Sequence, residues 1–481
     1  MLVSKIFAGI DVQTNALSPD TDIPAITCDS RKAEQGGILV CITGTAVDGH
    51  DFAAKAIENG VAAVVVERDL GLPRQIIVSS TRLAWAQMSA NWFSHPADKL
   101  HLIGITGTNG KTTTACLIKS ILTDAGYKVG LVGTIQNMIG ERVLPAARTT
   151  PDPYDLQSLF ALMVAEGCDY CVMEVSSHAL DQDRVAGCTF DAAVFSNLTQ
   201  DHLDYHGTME NYMLAKKRLF SMCRVAILNA DDKWSEQLSN GLTCPIMWYS
   251  TEKDTADFTA KNIRYRPDGV RFELVHDTDI DRIHLHIPGH FSVYNGMAAA
   301  ACAIAIGIPF DKTVASLCAA QGVKGRAEIV PTGKDFTVVI DYAHTPDGLE
   351  NICQTLKDCC KGRLITVFGC GGDRDRTKRP QMGEIAARIA DIAVVTSDNP
   401  RTENPAAIIE DILGGMQKSK KPLHVIENRI EAIHFAIHLA QPDDTVLLAG
   451  KGHETYQILK DGVIHLDERE VVAEALATLN S

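Results

Sequence analysis

The stretch His101-Leu-Ile-Gly-Ile-Thr-Gly-Thr-Asn-Gly-Lys-Thr-Thr113 decides the fold. Its apolar start reads as a buried strand, Gly107 to Thr113 as a glycine loop, and Ala115, Ile118, Leu122 and Ala125 recur at helical spacing until Gly126 supplies a stop. Strand, loop and helix in that order set backbone N–H groups and a lysine at a helix N-terminus, where peptide dipoles favour a polyphosphate. Lys111 is placed for the outer phosphates and Thr112 for a magnesium ion, with Gly107, Thr108, Asn109, Gly110 and Thr113 completing the cradle. The loop is tighter than the eight-residue phosphate-loop pattern, because Ile105 stands where that pattern has its first glycine. Alone it implies ATP or GTP and leaves the reaction open.

Outward from the loop, residues 170–175, 192–196 and 225–229 read as further buried strands, so the middle of the chain is a doubly wound parallel sheet. After Ser250, alternating runs at 270–275 and 283–287 predict antiparallel strands appended to that sheet, and 295–306 an alanine-rich helix. His284 and His286 share a strand face, which solvation explains more simply than a metal pair. Upstream, short strands at 37–42, 62–67 and 75–78 with helices at 51–59 and 83–93 form a small unit that ends at His95-Pro96. Downstream, strands at 337–340, 364–368, 392–396 and 445–448 alternate with helices. With 481 residues, more than one core is needed. The expected class is α/β in three domains: a small N-terminal α/β domain over 1–97, a central P-loop-type parallel-sheet domain over 98–331 and a C-terminal Rossmann-like domain over 332–481.

A net charge of −15 argues against a nucleic-acid partner, which needs Lys and Arg to displace counterions. The start, residues 1–10, lacks a signal-peptide core, and no apolar run reaches the roughly 18 residues of a membrane span, so a cytoplasmic protein without membrane insertion is expected. The 14 cysteines are scattered through apolar segments and read as reduced core thiols; Cys168 and Cys171 have zinc-ligand spacing but no second pair.

Chemistry-bearing residues gather where strands end. Glu174 closes 170–175, where a hard cation could be reached, and 197–206 concentrates Asp201, His202 and Asp204. In the last domain the polar loops 342–346, 369–374, 397–401 and 450–454 each follow a strand, the edge where α/β sheets bind ligands.

The motifs GTNGKTT (107–113), MEVSSHALDQDR (173–184), NLTQDHLDYHG (197–207), DYAHTPDGLE (341–350), GCGGDRDRTKRP (369–380), SDNPRTENP (397–405) and GKGHE (450–454) stand in the order found in Mur ligases, and the chain resembles that family over almost its whole length. Within it the chain is similar to the type that adds the third peptide residue. The resemblance implies that ATP phosphorylates a substrate carboxylate to an acyl phosphate, which an amino group then attacks. Phosphate is a competent leaving group where oxide is not. It implies Lys111, Glu174, His202 and Lys216 as catalytic residues, with Thr112, Glu174, His202 and a carbamylated Lys216 holding Mg2+. Without the resemblance, Lys216 reads as a surface charge on a helix. Asn295, Arg326 and Asp341 match residues that hold ATP with the loop. Ser30, Thr149, Thr150, Ser176, Gln182 and Arg184 match those that meet a UDP-linked muramoyl dipeptide, although Cys28 and Arg148 depart from the familiar flanking residues. Arg374, Asp398, Asn399, Pro400, Arg401, Gly450 and Glu454 match the amino-acid pocket. An arginine fork at 401 suits meso-diaminopimelate, which carries one more carboxylate than lysine.

A monomer acting on these small molecules is the expectation. Three rivals stay open: a lysine-adding ligase of the same family, opposed by Arg401; a folylpolyglutamate synthetase-like ligase, opposed by the N-terminal unit; and a regulatory ATP-binding protein, which leaves Arg374, Arg401 and Glu454 without a task.

Overall fold

The computed structural model describes residues 1–481 except 15, 45–46, 267–268, 321 and 480–481. The described residues form three main sheets and a hairpin, each main sheet carrying helices. The first is five-stranded and covers the N-terminal region. Its inner strand Ala63–Val66 is buried at every position, which suits a strand covered on both faces. Two of its strands, Val12–Thr14 and Ile26–Thr27, are too short to show a period in the sequence.

The second sheet has eleven strands. The phosphate-loop strand His101–Thr106 lies between Tyr170–Glu174 and Phe190–Phe195, parallel to both, so the loop, Glu174 and the 196–199 segment emerge at one edge. Parallel pairing continues through Cys223–Asn229, Ile246–Ser250 and Phe258–Arg266. The expected antiparallel addition is present as Gly269–His276 and Asp279–Leu285. His284 and His286 lie half-buried with rings 4.2 Å apart, so that face is less solvated than the alternation suggests.

The third sheet has six strands, parallel except for its first, Glu328–Val330. That strand precedes residue 332, where the sequence placed the start of this region, because three residues are too few to register as an alternating run. One apolar cluster runs from Ile103 and Leu131 of the second sheet to Leu349, Ile352 and Leu356 on the helix Pro346–Cys359, so the second and third regions share packed contact. The first region meets the second through Trp85, whose indole N–H donates to Asp152 Oδ1 at 2.6 Å and whose ring stacks on Tyr154 at 5.9 Å. All fourteen cysteines are free, Cys168 and Cys171 among the buried ones. Among the described residues no helix is long and apolar enough to cross a membrane.

Candidate active site

Gly107 (φ +147°) and Gly110 (φ +85°) adopt backbone conformations closed to most side chains; a Cβ at Gly110 would lie 2.4 Å from Asn295 Oδ1. The loop is braced from the neighbouring strand end. Thr108 N and Asn109 N donate to Asn197 O (2.8 Å) and Oδ1 (2.9 Å), and Ser196 Oγ donates to Asn109 O (2.6 Å). The helix Lys111–Asp124 then begins with first-turn N–H groups that have no intrahelical partner. Lys111 Nζ folds back on the carbonyls of Gly107 (2.9 Å) and Thr108 (2.8 Å), and burial lowers its pKa against the opposing pull of Glu174 and Asp201.

Asn109, Gly110 and Thr113 share a cavity of about 400 Å3 with Asn295, Arg326 and Asp341, a size that suits a small-molecule ligand. Arg326 Nη2 donates to Thr112 Oγ1 (3.4 Å), and its guanidinium lies over the Tyr342 ring (4.9 Å). Asp341 accepts from Ala327 N (2.6 Å) and Ala343 N (2.7 Å), and burial raises its pKa. Asp347 reaches the same cavity from the third region, accepting from Asn109 Nδ2 (2.7 Å) and Thr199 Oγ1 (3.1 Å). In the sequence Asp347 reads as an ordinary acidic residue in a helix's first turn, and nothing there marks it as part of the site.

Glu174 is 1% exposed and accepts from Thr134 N and Thr134 Oγ1, each at 2.9 Å. Thr134, likewise unmarked in the sequence, thereby aims this carboxylate. His202 sits at a left-handed residue (φ +52°), its Nε2 3.4 Å from Asp201 Oδ2, and burial lowers its pKa. Lys216 corrects the surface reading: it is 1% exposed, and its ammonium donates to Gly107 O (2.8 Å) and lies 4.4 Å above the Tyr212 ring. Tyr212 OH in turn is 3.3 Å from Thr108 Oγ1. Among the described residues no carboxylate pairs with Lys216. Burial, then the neighbouring Lys111 charge, drive its pKa well below the ordinary value, with Asp201 pulling the other way.

These donors suit a hard cation in type: a hydroxyl, a carboxylate and an imidazole around a loop already built for phosphate. Among the described residues, however, no group of three His, Cys, Asp or Glu assembles into a metal site. A cation here would lean on Thr112 and on an oxygen carried by Lys216. An unpaired, buried, deprotonated amine is the form of lysine that can add carbon dioxide and become an anion.

The residues matched to the dipeptide gather at the end of the Glu174 strand, bonding its backbone rather than its carboxylate. Thr150 Oγ1 donates to Glu174 O (2.9 Å) and accepts from Ser176 N (3.0 Å), while Thr149 Oγ1 lies 3.1 Å from Thr134 Oγ1. Arg184 Nη1 donates to Thr150 O (2.9 Å) and Nη2 to Gln182 Oε1 (2.8 Å). Burial lowers the Arg184 pKa. Ser30 stands apart, opening a short turn capped by Asp29, and no described hydrogen bond joins it to this group.

In the third region, Asn399 Nδ2 donates to Glu454 Oε2 (2.9 Å), and Gly450 N to Asp341 O (3.0 Å), linking the loops 397–401 and 450–454 to each other and to the cavity's Asp341. Arg401 adopts φ +54°, with Nη1 on Gly372 O (2.8 Å). Arg401 and Arg374 both flank Gly371, Arg374 from an exposed loop, and the Pro400 carbonyl packs against Gly372.

Three sheets, a braced phosphate loop facing a cavity, and two arginines from separate loops meeting at Gly371 are parts that suit an ATP-dependent ligase. Family models agree: the Mur ligase catalytic domain matches residues 22–88, the Mur ligase middle domain 105–303 and the Mur ligase glutamate ligase domain 325–452. The chain belongs to the Mur ligase family. The UDP-N-acetylmuramoyl-L-alanyl-D-glutamate--2,6-diaminopimelate ligase of Caldanaerobacter subterraneus subsp. tengcongensis is 50% identical over 464 residues, 96% of each chain. A solved structure of a ligase of the same name is 34% identical, with a TM-score of 0.74 and 100% of both chains covered. The MurF ligase of Thermotoga maritima in complex with ADP is 20% identical (TM-score 0.63; 95% of this chain, 97% of that one) and shares the fold.

Proposed function

We propose that the chain joins meso-diaminopimelate to UDP-N-acetylmuramoyl-L-alanyl-D-glutamate at the expense of ATP, in the cytoplasm and as a monomer, as a step of peptidoglycan synthesis. The observation that carries this is the Thr150 hydroxyl, bonded at once to Glu174 O and Ser176 N, which ties the dipeptide residues to the phosphate end of the site. Its support is threefold: the 50% identity to a ligase of that name, the cavity joining loop and third region, and the two arginines, from separate loops, that meet at Gly371.

Lys111, Arg326 and the first-turn N–H groups hold the outer phosphates, while Asn295 and Asp341 take the adenosine. The residues that would hold magnesium are Thr112, Glu174, His202 and Lys216 as its carbamate. Bound there, the ion would neutralise charge on the transferring phosphoryl group. Arg184, Gln182, Ser176, Thr149 and Thr150, with Ser30 on the first region, orient the dipeptide so that its free carboxylate meets the phosphoryl group in line. The acyl phosphate is then attacked by the amine that Arg374, Asp398, Asn399, Arg401 and Glu454 position, in the turn shaped by Pro400 and Gly450. Asp347 on the loop brings the third region onto the cavity, excluding water that would hydrolyse the acyl phosphate.

Arg401→Ala tests the substrate assignment. Phosphate release should show a diaminopimelate KM raised about a hundredfold by loss of a charged partner, with ATP affinity unchanged. An unchanged KM overturns it.

A further inference from the structure

We propose that Lys451 is a specificity-determining residue of the amine pocket, a fixed positive charge that presets Glu454 and works against amines lacking a distal carboxylate. The inference rests on the amine pocket proposed above and concerns a residue with no part in that assignment. Lys451 is 0% exposed. Its ammonium donates to Glu454 Oε2 (2.9 Å) and Asn399 Oδ1 (3.2 Å) and stands 3.8 Å from Asp398 Oδ1. Asn399 Nδ2 donates to the same Glu454 oxygen (2.9 Å). Two donors thus converge on Oε2, and among the described residues no hydrogen bond is made to Oε1. One oxygen fixes the carboxylate while the other is left for a ligand ammonium.

The charge balance points the same way. Arg429 lies behind this cluster, but its Nε donates to Glu468 Oε1 (2.8 Å) and its Nη2 to Ala449 O (2.8 Å), so the buried Glu468 already offsets it. Lys451 is left to balance Asp398 and Glu454. Packing alone does not account for it, since methionine fills a similar volume without desolvating a charge. The hairpin strand Tyr456–Leu459 seals the cluster: Ile458 N donates to Asn399 Oδ1 (2.9 Å) and Gln457 Nε2 to Asp398 O (2.5 Å).

An amino acid whose far end carries both ammonium and carboxylate meets balanced charge here. One ending in a lone ammonium brings a cation toward Lys451, Arg401 and Arg374 with no carboxylate of its own to offset them. Removing Lys451 leaves Asp398 and Glu454 without their buried counter-charge and shifts preference toward the lone ammonium, while Glu454 loses its anchor.

The experiment is steady-state phosphate release by the full chain with ATP, the dipeptide nucleotide, and either meso-diaminopimelate or L-lysine, for Lys451→Met, Glu454→Gln and the double variant. ATP affinity and melting temperature report folding. Lys451→Met should raise the diaminopimelate KM at least about tenfold with kcat within about threefold, and narrow the diaminopimelate-to-lysine ratio of kcat/KM at least about tenfold. The double variant should match Glu454→Gln within about twofold, because one residue acts through the other. Equal loss of kcat/KM for both amines, or additive effects in the double variant, overturns the proposal. If Lys451→Met does not fold, Lys451→Gln keeps a donor without the charge and must still narrow the ratio; an unchanged ratio refutes the charge role. Glu454→Gln separates the two layers. If it leaves both amine KM values unchanged, the pocket assignment itself fails; if it raises them while Lys451→Met is silent, only the Lys451 inference fails.

Discussion

Lys216 and Lys451 are both buried, and their surroundings are opposite. Lys216 faces a carbonyl, an aromatic ring and a second cation, and burial drives its pKa well down. Lys451 is ringed by Glu454, Asn399 and Asp398. A buried lysine left unpaired is a neutral amine available for chemistry, whereas one that is paired is a permanent charge that shapes a pocket. On the proposed reading the two ends of the reaction use the same side chain in these two ways: the phosphate end draws on its reactivity, the amine end on its field.

The largest expected effect breaks the first half of that contrast. Lys216→Met should lower kcat about a thousandfold, as expected for loss of a group that helps hold the metal, and leave the amine KM near its starting value. It should also raise stability. The Lys216 pKa is lowered on folding, so below the ordinary value of 10.5 burying this group costs stability. That cost fades as pH rises toward the ordinary value of 10.5, so in buffer free of carbon dioxide the melting-temperature advantage of Lys216→Met should shrink with rising pH. With 13C-bicarbonate, one carbamate resonance should be present, lost in Lys216→Met and kept in Lys217→Met, since the half-buried Lys217 turns away from the phosphate loop onto the carbonyls of Gln237 and Asn240.

Next in size is Arg401→Ala, with its rise of about a hundredfold in amine KM alone. A fall in kcat instead would blur the division between the two ends. Asp347→Asn should weaken ATP binding about three- to tenfold by calorimetry, through a loop less firmly held, since Asp347 braces the loop and only part of the roughly 1.5–3 kcal/mol of a bond to a charged group reaches the ligand. Smallest is Trp85→Phe, which loses the bond to Asp152 and should lower the melting temperature by about 2–4 °C while kcat holds.

The division between the lysines marks how far the sequence could be read. The phosphate loop was legible because strand, glycines and helix are contiguous, and Gly110 is required by both its φ and its approach to Asn295. The third region's loops were legible because they follow apolar strands. Val129–Val132, buried at every position, went unread because four residues after a short turn carry no period. Lys216 was misread for a different reason. Its neighbour Lys217 is only half-buried and both sit near a helix end, so only tertiary packing under the phosphate loop buries one of the pair fully. Thr134 and Lys451 escaped because their partners, Glu174 and Asn399, lie about 40 and 52 residues away.

The most direct test is phosphate release by the purified chain with ATP, magnesium and the dipeptide nucleotide, with meso-diaminopimelate or L-lysine supplied as the only amine. The structure's two-ended site predicts release that depends on both the nucleotide dipeptide and the amine, with a kcat/KM for diaminopimelate at least about a hundredfold above that for lysine. Preference for lysine, or ATP binding with no release under either amine, would contradict it.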